Sequence, residues 1–261
     1  MPKLEFREVG KSFVSPDDNK GTLTVVDRLS LAVEEHEFLS VLGPSGCGKT
    51  TLVRMAAGLI PVDVGEILLD GVAVTNSSPK VSMVFQNIGL MPWKTVWGNV
   101  ALGLELLSHR SLTSGEREEV TASIEMVGLR GFENYYPYQI SGGMQQRVGL
   151  ARALVRKPTV LLMDEPFGAL DAQTRAILQD ELLHLWRERK CTIFFITHDL
   201  DEAIYLSDRV AIVSRRPGRI KQVLKVGLPR PRYAYDARAD PEFVRLRHLA
   251  WESIKEELSR L

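Results

Sequence analysis

The chain has 261 residues, of which 44% are hydrophobic and 25% charged, and its 33 basic side chains balance 33 acidic ones. This composition is typical of a folded globular protein and excludes collagen-like and intrinsically disordered chains. The balanced charge argues against a dedicated nucleic-acid binder, which normally carries a basic excess.

The sequence contains no apolar segment that approaches the roughly 20 residues of a membrane-spanning helix. Its longest apolar runs, such as 160–163 and 193–196, are only four residues long. The first residues also lack the apolar core of a signal peptide. Cys47 and Cys191 lie far apart without metal-ligand spacing, which is typical of a reducing compartment. We therefore expect a protein that is made in the cytosol and stays there.

Strand-like and helix-like segments alternate along the chain, which favours an α/β fold with a mostly parallel core sheet. The predicted elements are, in chain order, a half-exposed strand at 4–9, a strand at 38–42, a helix at 51–59, a strand at 81–85, mainly helical structure over 95–130 broken at Ser114-Gly115, and strands at 160–163 and 192–197. The last two are continuously apolar, as in strands buried on both faces.

The C-terminal region has a different character. Its basic segment, residues 215–232, holds no acidic residue and seven basic ones: Arg215, Arg216, Arg219, Lys221, Lys225, Arg230 and Arg232. A final helix is predicted to begin at Asp240-Pro241, with an apolar stripe formed by Phe243, Leu246, Ala250, Ile254 and Leu258. The basic segment is either a solvated loop before a packing helix or a face near lipid headgroups or a membrane-embedded partner.

Residues 43–50, with the sequence GPSGCGKT, match the phosphate-binding pattern G-x-x-x-x-G-K-[ST]. In such a loop, backbone N–H groups at a helix N-terminus surround an anion. Lys49 would reach the β- and γ-phosphates, and the Thr50 hydroxyl would bind Mg²⁺. A glycine turn without a ligand is the alternative, but a predicted strand precedes this loop and a helix follows it. The predicted ATP-binding residues are Gly43, Pro44, Ser45, Gly46, Cys47, Gly48, Lys49, Thr50 and Thr51.

A second element follows roughly 115 residues later, and NTPases with a phosphate loop hold Mg²⁺ with both elements. The apolar strand that begins at Val160 ends in Asp164-Glu165. The end of a buried strand would bring the Asp164 carboxylate beside Mg²⁺ at the carboxyl edge of the sheet. Glu165 would accept a proton from an attacking water. Alone, this pattern is weak evidence for a nucleotide site. After a phosphate loop in the same chain, it is strong evidence.

The third element is the segment SGGMQQR, residues 141–147. By itself it is a serine N-cap with two glycines at the start of a helix, which could be ordinary capping. Together with the two elements above, it resembles the signature motif of the ATP-binding cassette (ABC) ATPases, with Ile140 and Met144 in place of the commoner Leu and Gln. The signature residues, which the family uses across a dimer interface, are Ser141, Gly142, Gly143, Met144 and Gln145.

Further motifs occur in the family's order. Gln86 resembles the Q-loop glutamine, Ala169-Leu170-Asp171 the D-loop, and His198 the switch histidine. A lone histidine at a strand end is more often structural or solvated, and its place in this ordered set favours function. The resemblance implies catalytic roles for Glu165, His198, Gln86 and Lys49, and Mg²⁺ ligation by Thr50, Gln86 and Asp164.

Phe13 occupies the place where the family stacks an aromatic ring on adenine, a contact of about 1–3 kcal/mol. An insertion around residues 15–21 lengthens the distance from Phe13 to the phosphate loop. A core role for this ring is therefore the alternative.

The resemblance covers essentially the whole chain, so residues 1–261 are expected to form a single ABC ATPase domain. It implies an α/β P-loop NTPase core with a mostly parallel sheet, an antiparallel β subdomain and a helical signature subdomain at about 90–150. It also implies a head-to-tail homodimer, because the chain holds one copy of each motif. Two ATP molecules, each with Mg²⁺, would lie between the phosphate loop of one copy and Ser141–Gly143 of the other.

Two segments, QNIGLMPWKTV at 86–96 and RPGRI at 216–220, are similar to the nitrate/sulfonate/taurine branch of ABC importers. In that branch the Q-loop segment faces a groove for the membrane subunit, and exposed Leu90, Met91, Pro92 and Trp93 would suit it. Trp93 and Trp97 could instead be core residues. The branch implies a transmembrane permease partner, indirect action of an extracytoplasmic solute-binding protein, a peripheral position on the cytoplasmic face of the inner membrane, and no nucleic acid.

Three alternatives compete with an importer ATPase. An ABC ATPase that acts on nucleic acid or ribosomes would resemble a fusion of two cassettes or carry long coiled-coil insertions, and this chain has neither. A scaffold subunit with a dead cassette is disfavoured by the joint presence of Lys49, Asp164, Glu165 and His198. Another transporter class, an exporter or a sugar-type importer, stays open. Nitrate, an alkanesulfonate and taurine all remain candidate solutes.

Overall fold

The computed structural model describes residues 1–14, 21–108 and 110–258, so most of the expected insertion at 15–21 lies outside the described residues. The chain forms two compact units: the first comprises residues 1–78 and 191–261, and the second residues 79–190. None of the described helices is long and apolar enough to cross a membrane.

The helices and strands confirm the expected alternation. In chain order they are β1 (Leu4–Val14), β2 (Thr22–Val33), β3 (Phe38–Leu42), α1 (Lys49–Ala56), β4 (Val64–Leu69), β5 (Val72–Ala73), β6 (Val81–Val84), α2 (Val96–Ser108), α3 (Ser114–Met126), α4 (Gly142–Leu154), β7 (Val160–Asp164), α5 (Ala172–Arg189), β8 (Thr192–Thr197), α6 (Leu200–Leu206), β9 (Arg209–Val213), β10 (Ile220–Lys225) and α7 (Pro241–Leu258).

Two sheets build the first unit. One is antiparallel, in the order β2-β1-β4-β5. In the other, β3 pairs in parallel with both β8 and β9, and β10 joins β9 antiparallel. Strands β3 and β8 are buried along their whole length, which explains their continuous apolar sequences. The ring of Phe38 lies 5.7 Å from that of Phe195 between centroids and helps to fill this core.

The second unit combines a parallel strand pair, β6 and β7, with the helices α2 to α5. The expected break in the helical structure over 95–130 occurs just before the predicted position, at 110–113, and Ser114 and Gly115 themselves form the first turn of α3. Thr113 caps that helix, since its hydroxyl accepts from Glu116 N–H at 3.3 Å while its own N–H donates to the Glu116 carboxylate at 2.7 Å. The Arg110 guanidinium, aided by Thr113, lowers the pKa of Glu116 to about 2.

Helix α7 begins where the sequence predicts. The Asp240 carboxylate accepts from Glu242 N–H at 2.8 Å, and Pro241 is the first helical residue. Four members of the predicted apolar stripe are buried: Phe243, Leu246, Ala250 and Ile254. The side chain of the fifth, Leu258, lies outside the described residues.

Three of the seven basic residues of the basic segment form ion pairs with carboxylates of the first unit. These ion pairs join Arg219 to Asp27, Lys221 to Glu256 and Glu257, and Arg230 to Asp208. Its middle forms strand β10, which the sequence analysis missed. The interpretation as a solvated loop is therefore wrong for this part of the chain, and a lipid-facing role stays a prediction.

Arg232 is the most deeply buried member of the basic segment, with 1% of its surface exposed. Its Nη1 donates to the backbone carbonyls of Ile204, Tyr205 and Ser207 at 3.0, 2.8 and 2.8 Å. These carbonyls end helix α6 and would otherwise lack donors. Burial lowers the pKa of Arg232 to about 10, so the group stays charged at neutral pH.

We expect Arg232→Met to lower the free energy of unfolding by about 3 kcal/mol, because it leaves three buried carbonyls without their donor. Urea unfolding followed by circular dichroism measures this. Arg245→Gln is the control, since Arg245 only pairs with Glu242 on an exposed helix face and should not change the midpoint. Equal midpoints for Arg232→Met and the wild type would contradict the capping role.

Candidate functional site

In the first unit, the phosphate loop connects β3 to α1 and encloses the ammonium group of Lys49. Lys49 is 5% exposed, and its Nζ donates to the carbonyls of Gly43 at 2.7 Å and Pro44 at 3.0 Å. The ammonium group therefore lies within the loop rather than in solvent. A phosphate that enters the loop meets this charge and the surrounding backbone N–H groups.

Glycine is required where the loop meets α1. Gly48 has φ +101° and precedes the helix without a side-chain cap. A Cβ there would lie 3.0 Å from side-chain carbons of both Val25 and Val26. The close approach of β2 and the left-handed backbone thus exclude other residues. The loop leads directly into the N-terminus of α1, which favours a bound anion.

His198 lies near the loop. It follows β8, is exposed and, with Gly43 to Gly46, lines one pocket of about 650 Å³. The turn that carries it is fixed because Asp199 N–H donates to the Thr197 hydroxyl at 3.0 Å and Glu202 N–H to the Asp199 carboxylate at 2.9 Å. The structure therefore brings His198 and the phosphate loop to one pocket, and a contact of His198 with the γ-phosphate stays a prediction.

Phe13 is 41% exposed on β1, and the ammonium group of Lys11 lies 5.5 Å from the centre of its ring. The alternative that Phe13 is a core residue is wrong. Adenine stacking stays a prediction.

In the second unit, β7 ends in the two predicted carboxylates. Asp164 is 4% exposed and Glu165 is partly exposed. Glu165 has φ +45°, a left-handed conformation that is unfavourable for a residue with a side chain. A turn in which Gly168 N–H donates to the Glu165 carbonyl at 3.2 Å follows it. Such strained positions are concentrated at active sites.

The signature residues form the exposed start of helix α4. Ser141 caps the helix by accepting from Met144 N–H at 3.3 Å, and Gln145 Nε2 donates to the Pro137 carbonyl at 2.9 Å. A Cβ on Gly143 would lie 2.6 Å from a methyl group of Thr174 on α5. Ser141 is thus an N-cap, and the exposed Ser141 and Gly142 remain accessible.

The D-loop residues precede helix α5. Ala169 is exposed and Leu170 partly so. Asp171 caps α5 by accepting from Thr174 N–H at 3.0 Å and Gln173 N–H at 3.1 Å. These donors, Thr174 first, hold the pKa of Asp171 below its usual value.

Gln86 follows β6 in an exposed position, and two side chains fix the segment after it. Arg152 on α4 donates to the carbonyls of Ile88 and Gly89, at 3.0 Å for Gly89. Burial lowers the pKa of Arg152. The segment is thus attached to the helix that carries the signature residues.

The second of these side chains is Asn99 on α2, which is fully buried. Its amide oxygen accepts from Met91 N–H at 2.7 Å, and its Nδ2 donates to the carbonyls of Met91, Lys94 and Thr95 at 3.1, 2.9 and 3.0 Å. Neither Asn99 nor Arg152 was predicted from the sequence. Asn99 could have been found as a polar residue on an apolar helix face between Val96 and Val100. No comparable feature of the sequence pointed to Arg152.

The apolar residues of the same segment reach solvent to different degrees. Trp93 is 71% exposed, Pro92 is exposed, and Leu90 and Met91 are partly so. The core alternative is wrong for Trp93. Trp97 is partly buried, with the Arg117 guanidinium 5.7 Å from its ring centre.

Comparison with known proteins identifies the family. The ABC transporter family model matches residues 26–168. An uncharacterized ABC transporter ATP-binding protein of Methanocaldococcus jannaschii is 49% identical over 98% of this chain and 92% of its own length. The aliphatic sulfonates import ATP-binding protein SsuB of Bacillus cereus is 47% identical over 88% of both chains.

Solved structures agree with this family in fold. A dimeric ATP-binding cassette in a post-hydrolysis state, bound to ADP and Pi, superposes with a TM-score of 0.74 at 29% identity, over 85% of this chain and 98% of that one. A dimeric bacterial ABC transporter cassette gives 0.73 at 30% identity, with the same coverage. The fold is the expected α/β P-loop NTPase fold, and the chain belongs to the ABC transporter family.

Proposed function

We propose that this chain is the ATP-hydrolysing subunit of an importer, which drives a small anionic solute of the nitrate, sulfonate or taurine type through a separate membrane permease. The observation that carries the proposal is the phosphate loop with the Lys49 ammonium group held against the Gly43 and Pro44 carbonyls. Similar proteins are named as aliphatic sulfonates import ATP-binding proteins, and these names support both the direction of transport and the class of solute.

ATP binding uses the backbone of the phosphate loop. Lys49 exchanges its two carbonyl contacts for the β- and γ-phosphate oxygens, which gain charge-assisted hydrogen bonds. Mg²⁺ neutralises phosphate charge when bound, and the Thr50 hydroxyl and Asp164 carboxylate are the oxygen donors that this hard cation prefers. The side chain of Gln86 is a further oxygen donor for the same ion. Phe13 offers an exposed ring to the adenine.

Hydrolysis needs a base and a group that recognises the γ-phosphate. Glu165 takes a proton from the attacking water, and its strained backbone is consistent with such a role. His198 would contact the γ-phosphate from the fixed turn after β8. The side chain of Gln86 would contact the attacking water and Mg²⁺.

A complete site requires a second copy of the chain, arranged head to tail. The partner presents Ser141, Gly142 and Gly143 with the N-terminus of α4 to the γ-phosphate, while Met144 and Gln145 shape that turn and residues 169–171 line the interface. The dimeric state of similar cassettes supports this arrangement. Loss of the γ-phosphate removes the bridging charge and reopens the dimer.

The segment around Trp93 is the proposed contact with the permease. Its exposed indole and Pro92 offer an apolar surface in the segment that follows Gln86, so nucleotide-dependent movement of Gln86 would reach the permease through this segment. The chain thus acts as a peripheral protein at the cytoplasmic face of the membrane, and the solute-binding protein acts through the permease. No role with nucleic acid is proposed.

We expect Glu165→Gln to bind ATP normally but to slow hydrolysis by at least about 100-fold, because a general base contributes that much or more. Nucleotide affinity, phosphate release and dimer formation in MgATP measure the effect, and the variant should accumulate as a closed dimer. Glu188→Gln, on an exposed part of α5, is the control. Wild-type turnover by Glu165→Gln would refute the role of Glu165 as the base.

We expect Trp93→Ala to keep the ATPase rate of the isolated subunit but to weaken assembly with the permease. Co-purification of the complex from detergent and the solute-stimulated ATPase rate measure this. Ile177→Ala removes another exposed apolar side chain of the second unit, 54% exposed on α5, and should assemble normally. Equal assembly of both variants would exclude the Trp93 contact.

The solute class is tested on the complete complex in vesicles that contain the binding protein. We expect nitrate, an alkanesulfonate or taurine to raise the ATPase rate, because solute recognition reaches the ATPase only through the permease. A neutral sugar serves as the control. Stimulation by the sugar alone would overturn the anionic assignment.

A further inference from the structure

We propose that Arg216 is a positioning residue for nucleotide binding, which orients one peptide of the phosphate loop from outside that loop. Its Nε and Nη2 both donate to the Gly46 carbonyl, at 3.3 and 3.2 Å. The proposal rests on the proposed function, since it assumes that the loop binds the phosphates of ATP.

The geometry of the peptide bond explains why this contact matters. The Gly46 carbonyl and the Cys47 N–H belong to one planar trans peptide, so they point in opposite directions. Fixing the carbonyl outward therefore fixes the N–H inward. A hydrogen bond from a guanidinium group also polarises the peptide and makes its N–H a stronger donor.

The peptide needs such a restraint because of its position. Gly46 is exposed and has φ +77°, a conformation among the many that glycine adopts at little cost. An unrestrained peptide at this point would rotate between orientations, and each binding event would have to select one. A restraint that exists before ATP binds reduces the conformational entropy that is lost on binding.

Arg216 can act as a restraint because its own loop, residues 214–219, is fixed. Ser214 N–H donates to the Arg219 carbonyl at 2.9 Å, and its single hydroxyl hydrogen is shared between the Arg215 and Pro217 carbonyls, which lie 3.0 and 3.2 Å from Oγ. Gly218 lies against the phosphate loop so closely that a Cβ there would be 2.3 Å from the Cys47 carbonyl oxygen.

Helix α7 holds the other side of this loop. The carboxylate of Glu257, which is 3% exposed, accepts from Arg215 N–H at 3.0 Å and lies 3.2 Å from Lys221 Nζ. Lys221 Nζ also donates to the Ser253 carbonyl at 2.8 Å. A continuous series of contacts therefore runs from the end of α7 through the 214–219 loop to Gly46.

The test compares steady-state ATPase kinetics and MgATP affinity of the full chain with those of Arg216→Gln. We expect the KM and Kd for MgATP to rise roughly three- to tenfold, the effect of losing a hydrogen bond to a charged group at an exposed site. The kcat at saturating MgATP should stay within about twofold, because the reacting groups are untouched. Arg216→Lys, which keeps the charge but replaces two donor nitrogens by one, should give an intermediate KM.

Arg219→Gln is the matched control, since it removes the same charge from the same loop but breaks only the exposed pair with Asp27. It should leave KM unchanged. Equal KM values for Arg216→Gln and Arg219→Gln, or a lower kcat with unchanged KM in Arg216→Gln, would overturn the positioning role alone. Failure of the wild-type chain to bind MgATP would overturn the proposed function and this inference together.

Discussion

The structure of the first unit depends on one constraint, that an anion is to be bound by backbone N–H groups rather than by side chains. Such a site needs peptides in orientations that ordinary residues avoid, which explains Gly48 at φ +101° and its contact with β2. It also leaves little side-chain packing within the loop to hold those peptides. Support must come from neighbouring elements, and here β2, Lys49 and the 214–219 loop provide it.

In the second unit, neighbouring elements likewise support an irregular backbone, here the whole segment after Gln86 rather than a single turn. The residues after Gln86 have an irregular backbone, and buried polar side chains on two helices satisfy its carbonyl and N–H groups. Because Arg152 is on the signature helix and Asn99 on α2, displacement of this segment must disturb both helices. A rigid connection of this kind can transmit a change at Gln86 to the exposed Trp93.

Much of this organisation could be predicted from the sequence, because the motifs have local spacing and the buried strands are continuously apolar. The position of Lys49, the end of β7 at Asp164 and the start of α7 at Pro241 depend on local rules of this kind. The roles of Arg152, Arg216 and Arg232 do not, since each donates to backbone carbonyls distant in sequence. A run of basic residues shows neither which are buried nor which carbonyls they reach, and strand β10 was missed within it.

The attachment of Glu257 to the 214–219 loop changes how the C-terminal end of the chain should be treated. Helix α7 could be taken for a peripheral addition behind the nucleotide-binding core, suitable for shortening or for fusion to a tag. Its last turn instead holds the 214–219 loop, which in turn holds the phosphate loop. Removing a few residues there, more than forty positions after Arg215, would release the Arg215 N–H from the Glu257 carboxylate and so loosen the loop that holds the Gly46 peptide.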